Sequence, residues 1–389
     1  MSPAAVLWSG LLVLVLVTVA GMAANWPRHT AVRLPGALRH PPTVRADVVA
    51  VRAVRCETAG HRGCERATVR LRHSHQSVSL DATDPAIQGR LDVGNDVLVY
   101  RNPFPPGARG PDGAPVAAYA FFDFARTQPL VWLALAFALV AVATSRTRGL
   151  RALLGLCLSL AIVVGFMVPA IAHGRPPVAV AAFGGLAVML LTIPLVHGGG
   201  AKSLAACLGT AIALLVTLGL ADVFTRSAHL NGATSDAALY AQAVSAVSLR
   251  GLLLAGMVIG ALGVLGDTTV TQASTVLALR RANPELGFRE LVGHARVVGH
   301  DHIAATVNTL VLAYAGAAVP TLLVFSLAGM SVTGAVNGEA VADAIVATLV
   351  GSIGLMAAVP LTTVLAAWLA RSTPPARLAA PNPVEHRHA

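Results

Sequence analysis

Two aspartates, an asparagine and a few hydroxyls stand inside stretches that are otherwise almost wholly apolar, and these are the residues best placed to do chemistry. Gly256, Gly260, Gly263 and Asp267 are spaced four, three and four, which sets them on one helical face. Glycines on one face let a second helix approach closely. Asp301, Ala305, Asn308, Leu312 and Ala315 repeat that spacing, and His302, Thr306, Thr309, Ala313 and Gly316 form the adjoining stripe. At about 1.5 Å of rise per residue, Asn308 lies about 10 Å deeper than Asp301. Ionisable groups at such depth are functional candidates, and carboxylates with an amide and hydroxyls suit the binding of a cation or the relay of protons. Asp267, Asp301, Asn308, His302 and Thr309 are therefore the candidate polar pathway. The plainer readings are a packing face that ends in an interfacial carboxylate, and an interhelical hydrogen bond for Asn308.

Other chemistries fit less well. Gly263-Val-Leu-Gly266-Asp267 has one residue too many for a Gly-x-Gly-Asp protease motif, and no Tyr-Asp partner occurs. His294, His300 and His302 lack the His-Glu-x-x-His spacing of a zinc site. Gly198-Gly199-Gly200-Ala201-Lys202 lacks the spacing of a phosphate-binding loop. The expectation is a protein without enzymatic activity, cofactor or metal.

The elements that carry these residues follow from composition. Of 389 residues, 55% are apolar and only 12% charged, with a mean hydropathy of +0.70; soluble domains carry about 25% charged residues. Such a chain is dissolved in lipid, and its partner is the bilayer. The formal charge of +10 reflects arginines flanking apolar runs, which orient a membrane protein, and no nucleic acid is expected. Eight spans are predicted: Leu7 to Ala24, then about Pro129–Ala143, Ala152–Ala172, Val178–Val196, Leu204–Val223, Gly251–Gly266, Ile303–Leu327 and Ala344–Ala370. The four tryptophans fall where an aromatic belt would lie. Arg146, Arg148, Arg151, Lys202, Arg280, Arg281, Arg289, Arg296, Arg371 and Arg377 gather on one side of this arrangement, so both termini are expected in the cytoplasm of a cell-membrane protein. Thr268 to Ser274 is too polar for lipid on all sides and either extends its helix against protein or runs along the interface. Asn283-Pro284-Glu285 reads as the start of an amphipathic surface helix, with Asn283 as its cap.

Four segments result: an N-terminal anchor (1–27), a β-rich extracytoplasmic domain (28–126), a seven-helix membrane domain (127–371) and a cytoplasmic tail without regular structure (372–389). The fold class is thus an α-helical polytopic membrane protein of about eight transmembrane helices, with a small β domain after the first. In that domain Asp47–Arg52, Thr68–Arg72 and Asp96–Tyr100 read as strands, and Gly94-Asn95 and Pro105-Pro106-Gly107 as turns. A small barrel or sandwich, OB-like in size, suits about 100 such residues. Cys56 and Cys64 bracket a short loop there. Outside the cell they would either form a disulfide or remain two free thiols.

The stretch Gly260-Ala-Leu-Gly-Val-Leu-Gly-Asp267, then Gly299-His-Asp301, then Asn308-Thr-Leu-Val-Leu-Ala-Tyr314-Ala-Gly316, resembles the YibE/F family of multi-pass bacterial membrane proteins. So does Tyr119-Ala-Phe-Phe-Asp123-Phe-Ala-Arg126. Where that family carries arginine before the second aspartate and a Met-Gly pair after it, this chain has His300 and Ile303-Ala304. The resemblance implies a permease-like protein moving an unnamed small solute or ion. The competing expectation is a membrane scaffold or sensor whose outer β domain binds a partner.

Overall fold

A computed structural model describes residues 3–27, 42–54, 64–82, 91–102, 117–244 and 247–372. They divide into two compact units, Met1–Arg33 with Ser145–Ala389, and Leu34–Thr144.

The smaller unit holds β1 (Thr43–Val54), β2 (Cys64–Leu71), β3 (Ser77–Ala82), β4 (Asp96–Arg101) and β5 (Tyr119–Phe124), all pairing antiparallel in the order β3-β2-β1-β4-β5. Alternation does the folding: Ala46, Val48, Ala67, Val69, Leu80, Val97 and Val99 turn inward and are buried. A register shift between Val48 and Ala50 adds a residue to β1, which increases local twist. The sheet curls into a half-barrel in which β3 and β5 come close to each other. Strands expected at 47–52 and 96–100 lie within β1 and β4, the one expected at 68–72 coincides with the end of β2, which stops at Leu71, and Gly94 makes its turn at φ 94°. The two remaining strands were missed, although Val78 and Leu80 alternate within β3. Cys64 stands opposite Val54 in the β1–β2 register, whereas Cys56, and so its pairing with Cys64, lies outside the described residues, as do Pro105-Pro106-Gly107 and the tail from residue 373.

The larger unit is helical. Its elements are α1 (Pro3–Ala24), the C-terminal part of α2 (Thr127–Ile162), a π-helical turn (Val163–Met167), α3 (Val168–Ala172), α4 (Pro177–His197), α5 (Ala201–Ser227), α6 (Asp236–Val244), α7 (Leu249–Ala282), α8 (Phe288–Leu327), α9 (Val332–Asn337) and α10 (Glu339–Ser372). Among the described residues seven helical segments are long and apolar enough to cross a membrane. The expected second and third spans are joined in one of them, Thr127–Ala172, 46 residues long. Arg148 and Arg151, read as loop, are helical, as befits the good helix propensity of arginine. Arg146 alone departs from helical geometry, at φ 46° and ψ −120°.

At the centre α5, α7 and α10 pack on one another, with α8 against α10 and α7, α4 against α7, and α1 against α4. Small residues set these approaches. A side chain on Gly209 of α5 would collide with Thr362 of α10, and one on Gly354 of α10 with Thr217 of α5. A Cβ on Gly299 of α8 would fall 2.6 Å from Val359 and 3.0 Å from Gln272. Gly21 of α1 against Phe183 and Gly184 of α4 against Met167 are packed as closely. Of the packing glycines expected from sequence, Gly256 and Gly263 are exposed with no neighbour where a Cβ would stand, and only Gly260 meets another helix, at the Tyr314 hydroxyl.

One alternative is settled and one expectation corrected. Of the two courses open to the polar stretch from Thr268, the helix takes the first: α7 continues past Gly266 to Ala282, with Thr268, Thr269 and Gln272 buried against protein. Asn283 does not cap a new helix; its Oδ1 accepts from the Glu285 amide at 3.0 Å in a tight turn. Helix α8 starts at Phe288 and runs 40 residues without a break through the expected seventh span. Its start is held by Glu290, which accepts from the Gly287 amide at 2.7 Å.

Candidate functional site

The C-terminal half of α7 carries a cluster of buried polar residues. Thr268, Thr269 and Gln272 face inward and are buried, with Thr210 of α5 beside Thr269 and Thr363 of α10 beside Gln272; Thr217 of α5 and Ser352 and Thr362 of α10 are buried as well. Hydrocarbon offers these groups no partner, so each must find one in the protein. Gln272, 3% exposed, donates through Nε2 to the Ala295 carbonyl at 2.9 Å and to the Thr363 hydroxyl at 2.7 Å. It thereby ties α7, α8 and α10 at one level. Thr363 in turn donates to the Val359 carbonyl at 2.7 Å. The Thr210 and Thr269 hydroxyls bond to each other at 2.6 Å.

Not every group is served. The hydroxyls of Thr268, Thr362 and Ser352 are buried without a hydrogen-bond partner. A buried unpaired hydroxyl costs about 1–3 kcal/mol, so each of the three keeps hydrogen-bonding capacity that the protein leaves unused.

The residues first singled out lie elsewhere. Asp267, Asp301, Asn308 and Thr309 are all exposed on the chain, and His302 is half-buried with Nε2 enclosed and unpartnered. Helices α7 and α8 meet where Gln272 reaches Gly299 and Ala295. Asp267, five residues from Gln272, lies about 140° around α7 from that contact. On α8, Leu291, Ala295, Gly299 and Leu310 form the buried side, and Asp301, nine residues before Leu310, sits about 180° away. The two aspartates and Asn308 therefore do not converge on one cavity. Asp267 is instead within electrostatic reach of His197 on α4. Thr309 spends its hydroxyl on the Ala305 carbonyl at 3.0 Å. Gly263 borders an apolar cavity of about 310 Å³ with Met167, Gly185 and Ile193.

Gln272 and its hydroxyl neighbours were legible only as a stretch too polar for lipid; nothing local told which of them faces protein. Asp343 was missed as well. It stands in the first turns of α10, half-buried, beside a cavity shared with α7 and α8.

A helical bundle with several membrane-length helices, a polar seam in its core and a separate β half-barrel defines a multi-pass membrane protein. The model of the YibE/F-like protein family matches residues 133–372, and the chain belongs to that family. No curated protein and no solved structure matches it.

Proposed function

We propose that this protein is a permease that passes a small polar solute or ion between α5, α7 and α10, with no catalytic step. The observation that carries the reading is the trio of unpartnered hydroxyls, Thr268, Ser352 and Thr362, buried in the helical core. Fully satisfied hydroxyls would be ordinary helix glue; these have bonding capacity left over. Asp267, Asp301 and Asn308 point away from this seam and drop out of the pathway.

In the same reading the 46-residue segment crosses twice, turning at Arg146, because about 69 Å of helix exceeds twice a hydrocarbon core of about 30 Å. Eight crossings then place both termini in the cytoplasm of the cell membrane and the β domain outside. The strand order and the approach of β3 to β5 support an OB-like barrel for that domain.

The test is flux into proteoliposomes, with a panel of monovalent ions and small amines as solutes. Thr268→Val and Thr362→Val keep side-chain shape and remove the hydroxyl. Each should cut flux at least tenfold while the protein stays monodisperse, and Asp301→Asn should leave flux unchanged. Wild-type flux in both threonine variants would overturn the proposal.

A further inference from the structure

Beneath the loop that follows α5, three membrane helices enclose a second polar site. It is a cavity of about 260 Å³. Its walls are mostly apolar, with Leu252, Leu253 and Met257 among them, and among the described residues Asp343 is the one charged group that lines it. Tyr314 of α8, and Thr234 and Ser235 of the loop, complete the polar lining. The site is built rather than incidental. Glu339, one turn before Asp343, accepts from the amides of Asn231 and Gly232 at 2.7 and 2.8 Å and so pins the loop over the opening. Gly232 itself holds φ 84°, and any side chain there would strike the Leu249 carbonyl at 2.5 Å. The nearest cation of α7, Arg250, is engaged by Asp222 at 2.7 Å, so it does not neutralise Asp343.

The geometry points to a binding site for a small organic ammonium group, with Asp343 as its counter-charge. A bare metal ion would want six or more oxygen ligands and no hydrocarbon wall. An anion would meet a carboxylate. A protonated amine or quaternary ammonium wants one carboxylate, an aromatic face and apolar contact for its carbons, which Asp343, Tyr314 and the leucine and methionine walls supply together. The inference rests on the permease reading only in naming a class of solute; binding itself needs no transport. The same head group occurs on a free amine and on an ethanolamine phospholipid, and the two sources are separable.

Intact protein in detergent is heated while tryptophan fluorescence is followed, with ethylammonium, tetramethylammonium, sodium chloride or the neutral neopentyl alcohol added. A second arm compares nanodiscs of phosphatidylethanolamine with nanodiscs of phosphatidylglycerol. A saturable upward shift of the melting temperature with either ammonium, or with the ethanolamine lipid alone, supports the site. The shift should vanish in Asp343→Asn, return in part in Asp343→Glu, and persist in Asp301→Asn. The proposal fails if sodium chloride or the alcohol stabilises as well as the ammoniums, if neither arm shows a shift, or if Asp343→Asn keeps it. Should Asp343→Asn not fold, Tyr314→Leu weakening the shift at least threefold decides instead, and an unaltered shift there overturns the site. Binding with no flux would remove only the permease reading, and flux with no binding would remove only this site.

Discussion

Gln272 shows how one side chain in lipid gains its importance. Its amide bonds two partners on two other helices, and removing it takes a donor from both the Thr363 hydroxyl and the Ala295 carbonyl. Gln272→Leu should cost about 1–3 kcal/mol, read as a lower midpoint of thermal unfolding in detergent. Asn308→Leu, on the outward face of α8, should change that midpoint little or raise it, because an exposed amide in hydrocarbon is itself unfavourable. Outside the membrane the logic is electrostatic. The Arg72 guanidinium, bonded to Asp47 at 2.6 Å, holds that carboxyl below the usual carboxylate range. A lowered folded pKa means the pair stabilises the half-barrel above about pH 4, the unfolded value, and that this contribution is lost as pH falls through the lowered one. Both side chains are more than 40% exposed, so the effect stays below about 1 kcal/mol. Protease cleavage of the domain should accelerate in acid for wild type and be less pH-dependent in Asp47→Asn.

Among elements, the contacts that matter are those where two backbones come nearly together. Gly209 against Thr362 and Gly354 against Thr217 join α5 to α10 at two levels, and no rotamer change makes room for a branched side chain at such a point. Gly209→Val or Gly354→Val should destabilise by several kcal/mol, visible as loss of the monodisperse peak in size-exclusion chromatography, whereas Gly256→Val, with open space before it, should leave that peak intact. The long helices explain why spacing misled. Period and small-residue content define a stripe but not its direction, and α7 carries two stripes: the glycine stripe, which turns outward, and Leu265, Thr269, Gln272 and Val276, which turn inward. The course of α7 beyond Gly266 stayed open between two readings for a related reason, since hydropathy drops at Thr268 whether the helix leaves the membrane or enters a protein interior. The cap misread at Asn283 came from a side chain that serves a turn as readily as a helix start.

For the molecule as a whole, the arginine distribution and the break at Arg146 combine into one expectation. A single cysteine at position 147, in a background with the native cysteines replaced, should react with an impermeant maleimide only from the cytoplasmic face, and one at position 92 in the half-barrel only from outside. Labelling of both from one side would refute two crossings by the 46-residue segment. Membrane character, the existence of the β-rich segment and membership of the YibE/F-like family were all legible in the linear chain, because apolar runs and strand alternation depend on sums over neighbouring residues. Which polar groups share an interior was decided only by the tertiary structure. Asp301 and Gln272 are both polar residues in apolar surroundings, yet one faces out and the other binds three helices together. That difference lies in the rotation of each helix about its axis, which is set by backbone approach at Gly209, Gly299 and Gly354, between residues far apart in the chain.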